Sequence, residues 1–355
     1  MFFRDIALIL SAAALTGSAA GCTSSKAPTE PGAKGAAAGP PTVETVATFP
    51  VRPGNLSVTP AGRILITNSP LAGPSVKLAE LTPQGDQRPY PSAALAEGKE
   101  ATIQGAIGIR TTDQGMTWVL DMPTHTFYGI EEETREVAKR WTLPDDVLTP
   151  TSFLQDFALD QKRKRAIIAD MTQGDLKSAP TPAFIVVDLE TGKAQRVAES
   201  HPSMMPEIEG GFALNPITID PKYEYVYFGA LNGRTLYRVP AAAFDGDGAS
   251  VANSIERYGP KSFCDGITVD GAGHVYVTDV ESKGYGVTTP DGYRLIAKLP
   301  EDQSWPDGLS FGVDGYIYGT VDQLDRTAAL AGKESGTGAY LIVRFRPLAP
   351  GARGR

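Results

Sequence analysis

The 355-residue chain contains very little cysteine and histidine. It has two cysteines, Cys22 and Cys264, and three histidines. Two cysteines cannot supply the disulfide framework that holds many small secreted domains together. No two histidines have the close spacing of zinc ligands, so the sequence gives no sign of a zinc site. We expect the fold to be held by strand pairing and by burial of apolar side chains.

Positive charge is also scarce. The chain carries 33 Lys and Arg against 41 Asp and Glu, a formal net charge of −8 at pH 7. An acidic surface repels nucleic acid and anionic lipid. We therefore expect no nucleic-acid partner, and no membrane contact other than a lipid anchor.

The apolar stretch near the start, residues 6–15, is too short to span a membrane stably by itself. Arg4 precedes it, and small residues follow up to Cys22, which predicts an export signal of the lipoprotein type at residues 1–21 with lipid attachment at Cys22. Residues 22–42 are rich in Ser, Pro, Ala and Gly and predict a flexible tether. We expect an exported lipoprotein of the cell envelope, on the periplasmic or outer-membrane side. Plain secretion is the alternative.

One short phrase occurs six times in the remaining chain. Each copy has an alternating apolar pair, a turn rich in Asp, Gly or charged residues, and then a β-branched or aromatic run. The copies start about 40 to 60 residues apart, a period typical of one supersecondary unit repeated around an axis. Hairpin patterns after each copy complete four strands per unit. The six copies span residues 55–66, 106–119, 156–168, 216–228, 266–277 and 308–318.

These repeats predict an all-β fold, a single-domain six-bladed β-propeller over residues 43–346. A strand at residues 43–49 and another at residues 340–345 are expected to share a blade and close the ring. Residues 347–355 are expected to form a loose tail. We expect a monomer.

The residues just before each inner strand should meet at one mouth of the central channel. Glycines at these positions permit close approach of a ligand. Five of the six pairs bring an Asn, Gln or Asp to the same end. The pairs are Gly54 with Asn55, Gly105 with Ala106, Gln155 with Asp156, Asn215 with Pro216, Asp265 with Gly266, and Asp307 with Gly308.

This group of carboxylates and amides suits two kinds of chemistry. Crowded carboxylates raise one another's pKa, which suits general acid–base catalysis by Asp265 and Asp307 with Asp156 tuning them. Carboxylate and amide oxygens also suit a hard cation such as Ca²⁺. Asn55, Gln155 and Asn215 are the candidates for orienting a ligand. The alternative is that these residues only cap strand starts and bond to local backbone.

Aromatic residues next to these positions could wall the site. Phe153, Phe263 and Trp305 each lie close before one of the polar residues. An aromatic-lined mouth would suit a flat organic ligand. Cys264 is a candidate nucleophile by position, with a small buried thiol as the alternative.

An ordered set of short motifs resembles the yellow and major royal jelly protein family. Its carriers include Phe153-Leu154-Gln155-Asp156, Cys264-Asp265-Gly266 and Trp305-Pro306-Asp307-Gly308, and the likeness covers roughly residues 45–325. Bacterial relatives are described as dopachrome-tautomerase-related. The resemblance implies a secreted six-bladed propeller with a ligand site at one channel mouth. Members of the family convert dopachrome, bind biogenic amines or are structural. Gln155 stands where the family usually has Asn.

The chain is more distantly similar to gluconolactonase-type propellers, which hold a divalent cation in the channel. Asn215 and Asp265 fall where two of those metal ligands would lie, which implies a Ca²⁺ or other divalent-cation site. The glutamate expected before the first inner strand is replaced by Gly54 and Asn55. The predicted function is binding of a small organic ligand, with dopachrome-tautomerase-like isomerase activity. The alternatives are a non-catalytic amine-binding protein and a metal-dependent lactone hydrolase.

Overall fold

The computed structural model describes residues 39–354. The predicted export signal, Cys22 and most of the predicted tether lie outside these residues. At the end of the tether, the Pro41 carbonyl accepts a hydrogen bond from the Lys298 N–H, and the Val43 N–H donates to the Lys298 carbonyl. These hydrogen bonds join residues 41–43 to the fifth blade, so the contacts of the propeller begin slightly before residue 43. No helix in this described part is long and apolar enough to cross a membrane.

The described chain forms six antiparallel sheets of four strands each. The innermost strands are β2 (Pro53–Val58), β6 (Ala106–Thr111), β10 (Leu154–Asp160), β14 (Leu214–Ile219), β18 (Cys264–Val269) and β22 (Pro306–Phe311). The second strands are β3 (Ile64–Asn68), β7 (Met116–Asp121), β11 (Arg165–Asp170), β15 (Tyr225–Ala230), β19 (Val275–Asp279) and β23 (Ile317–Val321). The third strands are β4 (Leu78–Leu81), β8 (Thr126–Glu131), β12 (Ala183–Asp188), β16 (Thr235–Pro240), β20 (Gly284–Thr289) and β24 (Tyr340–Phe345). The outermost strands are β5 (Gln87–Pro89), β9 (Val137–Thr142), β13 (Ala194–Val197), β17 (Glu256–Pro260), β21 (Gly292–Lys298) and β1 (Glu44–Phe49).

Each innermost strand contacts the innermost strands of the blades on both sides, and β2 contacts β22, so the ring is closed. The sixth blade contains both ends of the propeller chain, because β1 pairs antiparallel with β24. The prediction of a six-bladed propeller closed by its terminal strands is confirmed. The short helices α1 (Ala93–Ala96), α2 (Gly248–Asn253) and α3 (Ala328–Ala331) lie in connecting segments.

The turns between the first and second strands explain the glycines in the repeated phrase. In four blades a glycine in this turn has φ between +77° and +89°. This conformation is energetically unfavourable for residues that carry a Cβ. In the third and fourth blades, Lys164 and Tyr223 adopt φ of +53° and +59° in the same turn. The four glycines are Gly62, Gly115, Gly273 and Gly315.

The hydrophobic core lies between the blades. Six clusters of buried side chains fill the six spaces between neighbouring sheets, one for each space. Between the second and third blades, for example, the Phe127 ring stacks on Trp118 and meets Phe157 edge to face, with ring centroids 5.1 and 4.7 Å apart. Burial between blades therefore ties each sheet to the next and holds the inner strands around a common channel.

The C-terminal tail is fixed rather than loose. The Leu348 N–H donates to the Tyr276 hydroxyl at 2.6 Å, and the Pro350 carbonyl accepts from Gly271 at 2.8 Å. The carbonyl of the buried Gly354 accepts from the Ser57 hydroxyl at 3.1 Å and from the Thr111 N–H at 3.3 Å. These partners belong to the first, second and fifth blades, at the end of the inner strands away from the predicted mouth. The expectation of a loose tail therefore does not hold for residues 347–354, which lie across the far end of the channel.

Candidate functional site

Every innermost strand departs from regular pairing at the same level. In all six, two residues lack a register partner between the first paired residue and the fourth, as between Pro53 and Leu56 in β2. Such bulges redirect side chains, and here they occur at the channel mouth. The bulge residues are Gly54 and Asn55, Ile107 and Gly108, Gln155 and Asp156, Asn215 and Pro216, Asp265 and Gly266, and Asp307 and Gly308.

The second blade differs from the sequence-based alignment. We expected Gly105 and Ala106 at the mouth, but the bulge of β6 lies between Ala106 and Ile109. The equivalent residues are therefore Ile107 and Gly108. A shift of two residues keeps the inward and outward alternation of a strand, so the apolar pattern cannot detect it.

Threonines in the second strands hold three of the bulges. The Thr278 hydroxyl accepts hydrogen bonds from the Asp265 and Gly266 N–H groups at 3.1 and 2.9 Å. Thr320 accepts from the Gly308 N–H at 2.8 Å and donates to the Gly54 carbonyl of the next blade. These hydroxyls satisfy backbone groups that the bulge removes from the ladder, and Thr320 also links neighbouring blades.

A cavity opens at this mouth, and we call it the channel-mouth pocket. Its empty volume, which includes the solvent-filled space at the opening, is about 780 Å³. Of the predicted catalytic and ligand-binding residues, the structure places all except Phe263 in its lining. Those eight are Asn55, Phe153, Gln155, Asp156, Asn215, Asp265, Trp305 and Asp307.

Phe263 is not among the residues that line the channel-mouth pocket. Its ring instead lies beneath the guanidinium of Arg234, whose Cζ is 3.9 Å from the ring centroid. The neighbouring Cys264 lies in β18 and is fully buried. Burial raises the pKa of the Cys264 thiol, which disfavours the thiolate that a nucleophile requires.

Asp156 is surrounded by hydrogen-bond donors. Its Oδ1 accepts from the Phe157 N–H at 2.8 Å, and its Oδ2 accepts from the Asn55 amide at 3.1 Å and from the Arg110 guanidinium. Burial raises the pKa of Asp156, and the Arg110 charge opposes that effect. Arg110 is itself only 3% exposed. The Asp156 carboxylate therefore lies at one side of the pocket with its charge balanced by Arg110, and the Asn55 amide is held beside it.

Arg110 was not identified from the sequence. It lies in β6 two residues after the bulge residue Gly108, at a position where Ser57 stands in the first blade. The available signal was an arginine within an otherwise apolar inner strand. A charge at such a position requires a buried partner.

Asp265 has two side-chain donors. Its Oδ1 accepts from the Asn215 amide at 2.8 Å, and its Oδ2 accepts from the Trp305 indole N–H at 2.7 Å. Burial raises the pKa of Asp265, while Trp305 and Asn215 lower it by hydrogen bonding to the charged form. Trp305 has φ of +56°, an unfavourable conformation for a bulky residue. This strain sits at the residue that orients the Asp265 carboxylate, as is common at functional sites.

Asp307 and Asp322 have few or no donors on their carboxyl groups. Within residues 39–354, no hydrogen bond reaches the Asp307 carboxyl. Asp322 is fully buried, and its Oδ1 accepts from the Leu324 N–H at 3.0 Å while its Oδ2 has no partner in the described chain. Burial, followed by the charge of Asp265, raises the pKa of each well above the ordinary aspartate value. Both carboxyl groups are therefore held toward the protonated form.

Asp322 is an acidic residue of the pocket lining that the sequence did not predict. It follows β23, and its N–H donates to the Trp305 carbonyl at 3.1 Å. The equivalent N–H groups of the other blades make the same kind of bond, but their side chains share no chemistry. Those residues are Ser69, Met122, Met171, Leu231 and Val280. An acid that occurs in one blade of six leaves no periodic signal.

The residues at the mouth do not form the donor set expected for a divalent cation. Among the described residues, no group of three or more His, Cys, Asp or Glu could hold a metal ion. Both oxygens of Asp265 already accept N–H donors, one of them from Asn215, the other candidate ligand. Asp265 and Asn215 are therefore hydrogen-bond partners of each other in this structure.

The sequence matches no protein-family model and no curated protein. Its fold is similar to those of several solved structures. A luciferin-regenerating enzyme has 12% identity and a TM-score of 0.59, with 88% of this chain and 98% of that chain covered. The calcium-binding protein regucalcin from Agrobacterium tumefaciens has 14% identity and a TM-score of 0.56, covering 88% and 99%. A gluconolactonase from Xanthomonas campestris has 10% identity and a TM-score of 0.55, covering 87% and 95%. At these identities the likeness concerns the fold alone, and the protein has the fold of gluconolactonase-type six-bladed propellers.

Proposed function

We propose that this propeller binds a small organic molecule in the channel-mouth pocket and catalyses proton transfer on it. The single observation that carries the proposal is the unequal hydrogen bonding of three neighbouring acids. Asp265 receives two side-chain donors, whereas Asp307 and the Oδ2 of Asp322 receive none from the described residues. Acids whose environments separate their pKa values are the usual basis of acid and base roles.

Each acid has a distinct role in this proposal. Asp265 is the base, because donors from Trp305 and Asn215 stabilise its charged form. Asp307 is the acid, because burial and the charges of neighbouring acids hold its proton. On a carbonyl compound, Asp265 would take a proton from the carbon beside the carbonyl group while Asp307 gives one to the oxygen. The result is a tautomer of the starting molecule.

Dopachrome conversion is the first reaction to test, because the sequence motifs resemble the yellow family, and dopaminochrome, the analogue without the carboxylate, is assayed beside it because the pocket lining has no cationic side chain. The measurement is the absorbance decay of dopachrome with the purified full-length chain. Asp265→Asn and Asp307→Asn should each lower kcat by about 10²- to 10⁴-fold, the usual contribution of a positioned acid or base. Asp291→Asn, at an exposed hairpin turn, is the matched control and should leave the rate unchanged. Equal rates in all variants would rule out catalysis by these acids.

Lactone hydrolysis is the second candidate, favoured by the likeness in fold to a gluconolactonase from Xanthomonas campestris. The same pair could serve it, with Asp265 activating water and Asp307 protonating the leaving oxygen. Acid release from lactones, followed with a pH indicator, tests it on the same variants. Amine binding without turnover is the third outcome. It would appear as heat on titration with an amine that Asp265→Asn abolishes.

We also propose, from the sequence, that the protein is exported and anchored through Cys22. Metabolic labelling with a fatty-acid analogue should mark the wild-type chain and not Cys22→Ser. Labelling of both chains, or of neither, would contradict the anchor.

A further inference from the structure

Two carboxyl groups in the channel-mouth pocket have hydrogen-bonding capacity that the protein leaves unused. The Oδ2 of Asp322 is buried without a partner. The half-buried Asp307 has a carboxyl group to which no described residue donates a hydrogen bond. A buried polar atom without a partner costs free energy, so a native structure that keeps one calls for an explanation. When protonated, each group is an O–H donor. An acceptor oxygen on a ligand would complete both.

The pocket offers nothing to an anion. None of the described residues in its lining is Lys, Arg or His. Arg110 is engaged with Asp156, and Arg52 donates to the carbonyls of Asp322 and Gln323 and to the Glu334 carboxylate. A carboxylate or phosphate would enter without a counter-ion and would face Asp265.

The walls around these acids are mainly apolar. They come from connecting segments of several blades, so an apolar rim surrounds the polar residues of the inner strands. Leu71 is 40% exposed even though it borders the pocket. A polyhydroxylated ring would place hydroxyl groups against these walls without partners. The main wall residues are Leu71, Phe153, Phe212, Leu231, Leu324 and Leu330.

We infer that the pocket selects a molecule without negative charge that has an apolar, ring-sized body and a carbonyl oxygen at one end, the oxygen being held by the carboxyl groups of Asp307 and Asp322. This inference rests on the proposed function and names the substrate class of the same site. It separates aromatic or alicyclic carbonyl compounds from sugar lactones, which share the carbonyl group and lack the apolar body.

A matched set of bicyclic probes tests the inference by calorimetric titration of the full-length chain. α-Tetralone carries the carbonyl group, 1-aminotetralin a positive charge and tetralin-1-carboxylate a negative charge on the same body. D-glucono-δ-lactone carries a carbonyl group on a polar body. α-Tetralone should bind at least about tenfold more tightly than each of the other three.

Variants at Asp322 locate the binding. Asp322→Leu removes the donor and should weaken α-tetralone binding about tenfold, the effect of one lost hydrogen bond. Asp322→Asn keeps an N–H donor and should retain most of the affinity, which also guards against a folding defect in the Leu variant. Tighter binding of the amine, the anion or the sugar lactone would overturn the inference, as would the absence of α-tetralone binding. In those cases the dopachrome and lactone assays still decide whether the acids are catalytic.

Discussion

Replacing Asp322 with asparagine should stabilise the protein at alkaline pH. Burial and the neighbouring acids raise the folded-state pKa of Asp322 above its unfolded value. Between the two pKa values the folded chain binds more protons than the unfolded chain, so the free energy of unfolding falls as pH rises through that interval. Asparagine has nearly the same shape and cannot ionise, so the variant escapes this loss.

The size of the effect follows from the environment of the carboxyl group. Asp322 is 0% exposed, and its Oδ2 lacks a partner in the described chain. Asparagine leaves the same position without a partner but cannot ionise, so the gain is the additional cost of the charged carboxylate, on the order of 1 to 3 kcal/mol. For a body of roughly 300 residues, that corresponds to a rise in Tm of about 2 to 5 °C. The gain should grow as pH rises from 4 to 8 and be smallest at pH 4, which is close to the ordinary aspartate pKa of 3.8, so the unfolded carboxyl group is still partly protonated.

Calorimetric scans of wild type and Asp322→Asn at pH 4, 6 and 8 measure this difference. Asp291→Asn serves as the control, since its exposed side chain should shift Tm equally little at each pH. A variant that is less stable than wild type at pH 8, or a difference independent of pH, would refute the reasoning. A stabilised variant with lowered activity would show that the site keeps a costly acid for its chemistry.

Three further predictions concern the channel and its ends. Deleting residues 347–355 should lower the free energy of unfolding by about 2 to 5 kcal/mol in urea titrations, because several hydrogen bonds between the tail and the blades are lost. An unchanged urea midpoint would mean that the tail does not stabilise the propeller. Arg110→Met should lower the free energy of unfolding by about 3 to 5 kcal/mol, because it leaves Asp156 buried without its charge partner. Adding Asp156→Asn should recover part of this loss. A double variant that is no more stable than the single variant would argue against the ion pair. Dialysis against EDTA should leave ligand binding and turnover unchanged, because Asp265 is already bonded to Asn215 and Trp305; activity that disappears and returns with Ca²⁺ would contradict this.

The fold could be predicted because its signals repeat. Alternating apolar pairs and turn glycines recur in register with the blades, and the first and last strands fall at residues 44–49 and 340–345. The mouth residues followed from the same period, since equivalent positions in a ring must face one axis. Asp156, Asp265 and Asp307 accordingly line one pocket although they are far apart in the chain.

The features that the sequence did not predict depend on single residues and on contacts between distant parts of the chain. Asp322 and Arg110 each occur in one blade only, so no repeat pointed to them. The tail was predicted to be loose because it is rich in Pro, Gly and Ala. Its position is fixed by hydrogen bonds to distant blades, which no local pattern shows. The orientation of Phe263 was likewise set by Arg234 across a loop, a contact that no local pattern encodes.

The fixed tail has a practical consequence for handling the protein. Gly354 is buried against Thr111, and a Cβ at this glycine would clash with the Thr111 carbonyl. An affinity tag or fusion partner joined directly after Arg355 would start one residue away from that tight contact. Its bulk would disturb the contacts between the tail and the propeller. A spacer after Arg355 would relieve the crowding. Because residues 347–354 lie across the far end of the channel, a ligand of the channel-mouth pocket would enter and leave through the mouth.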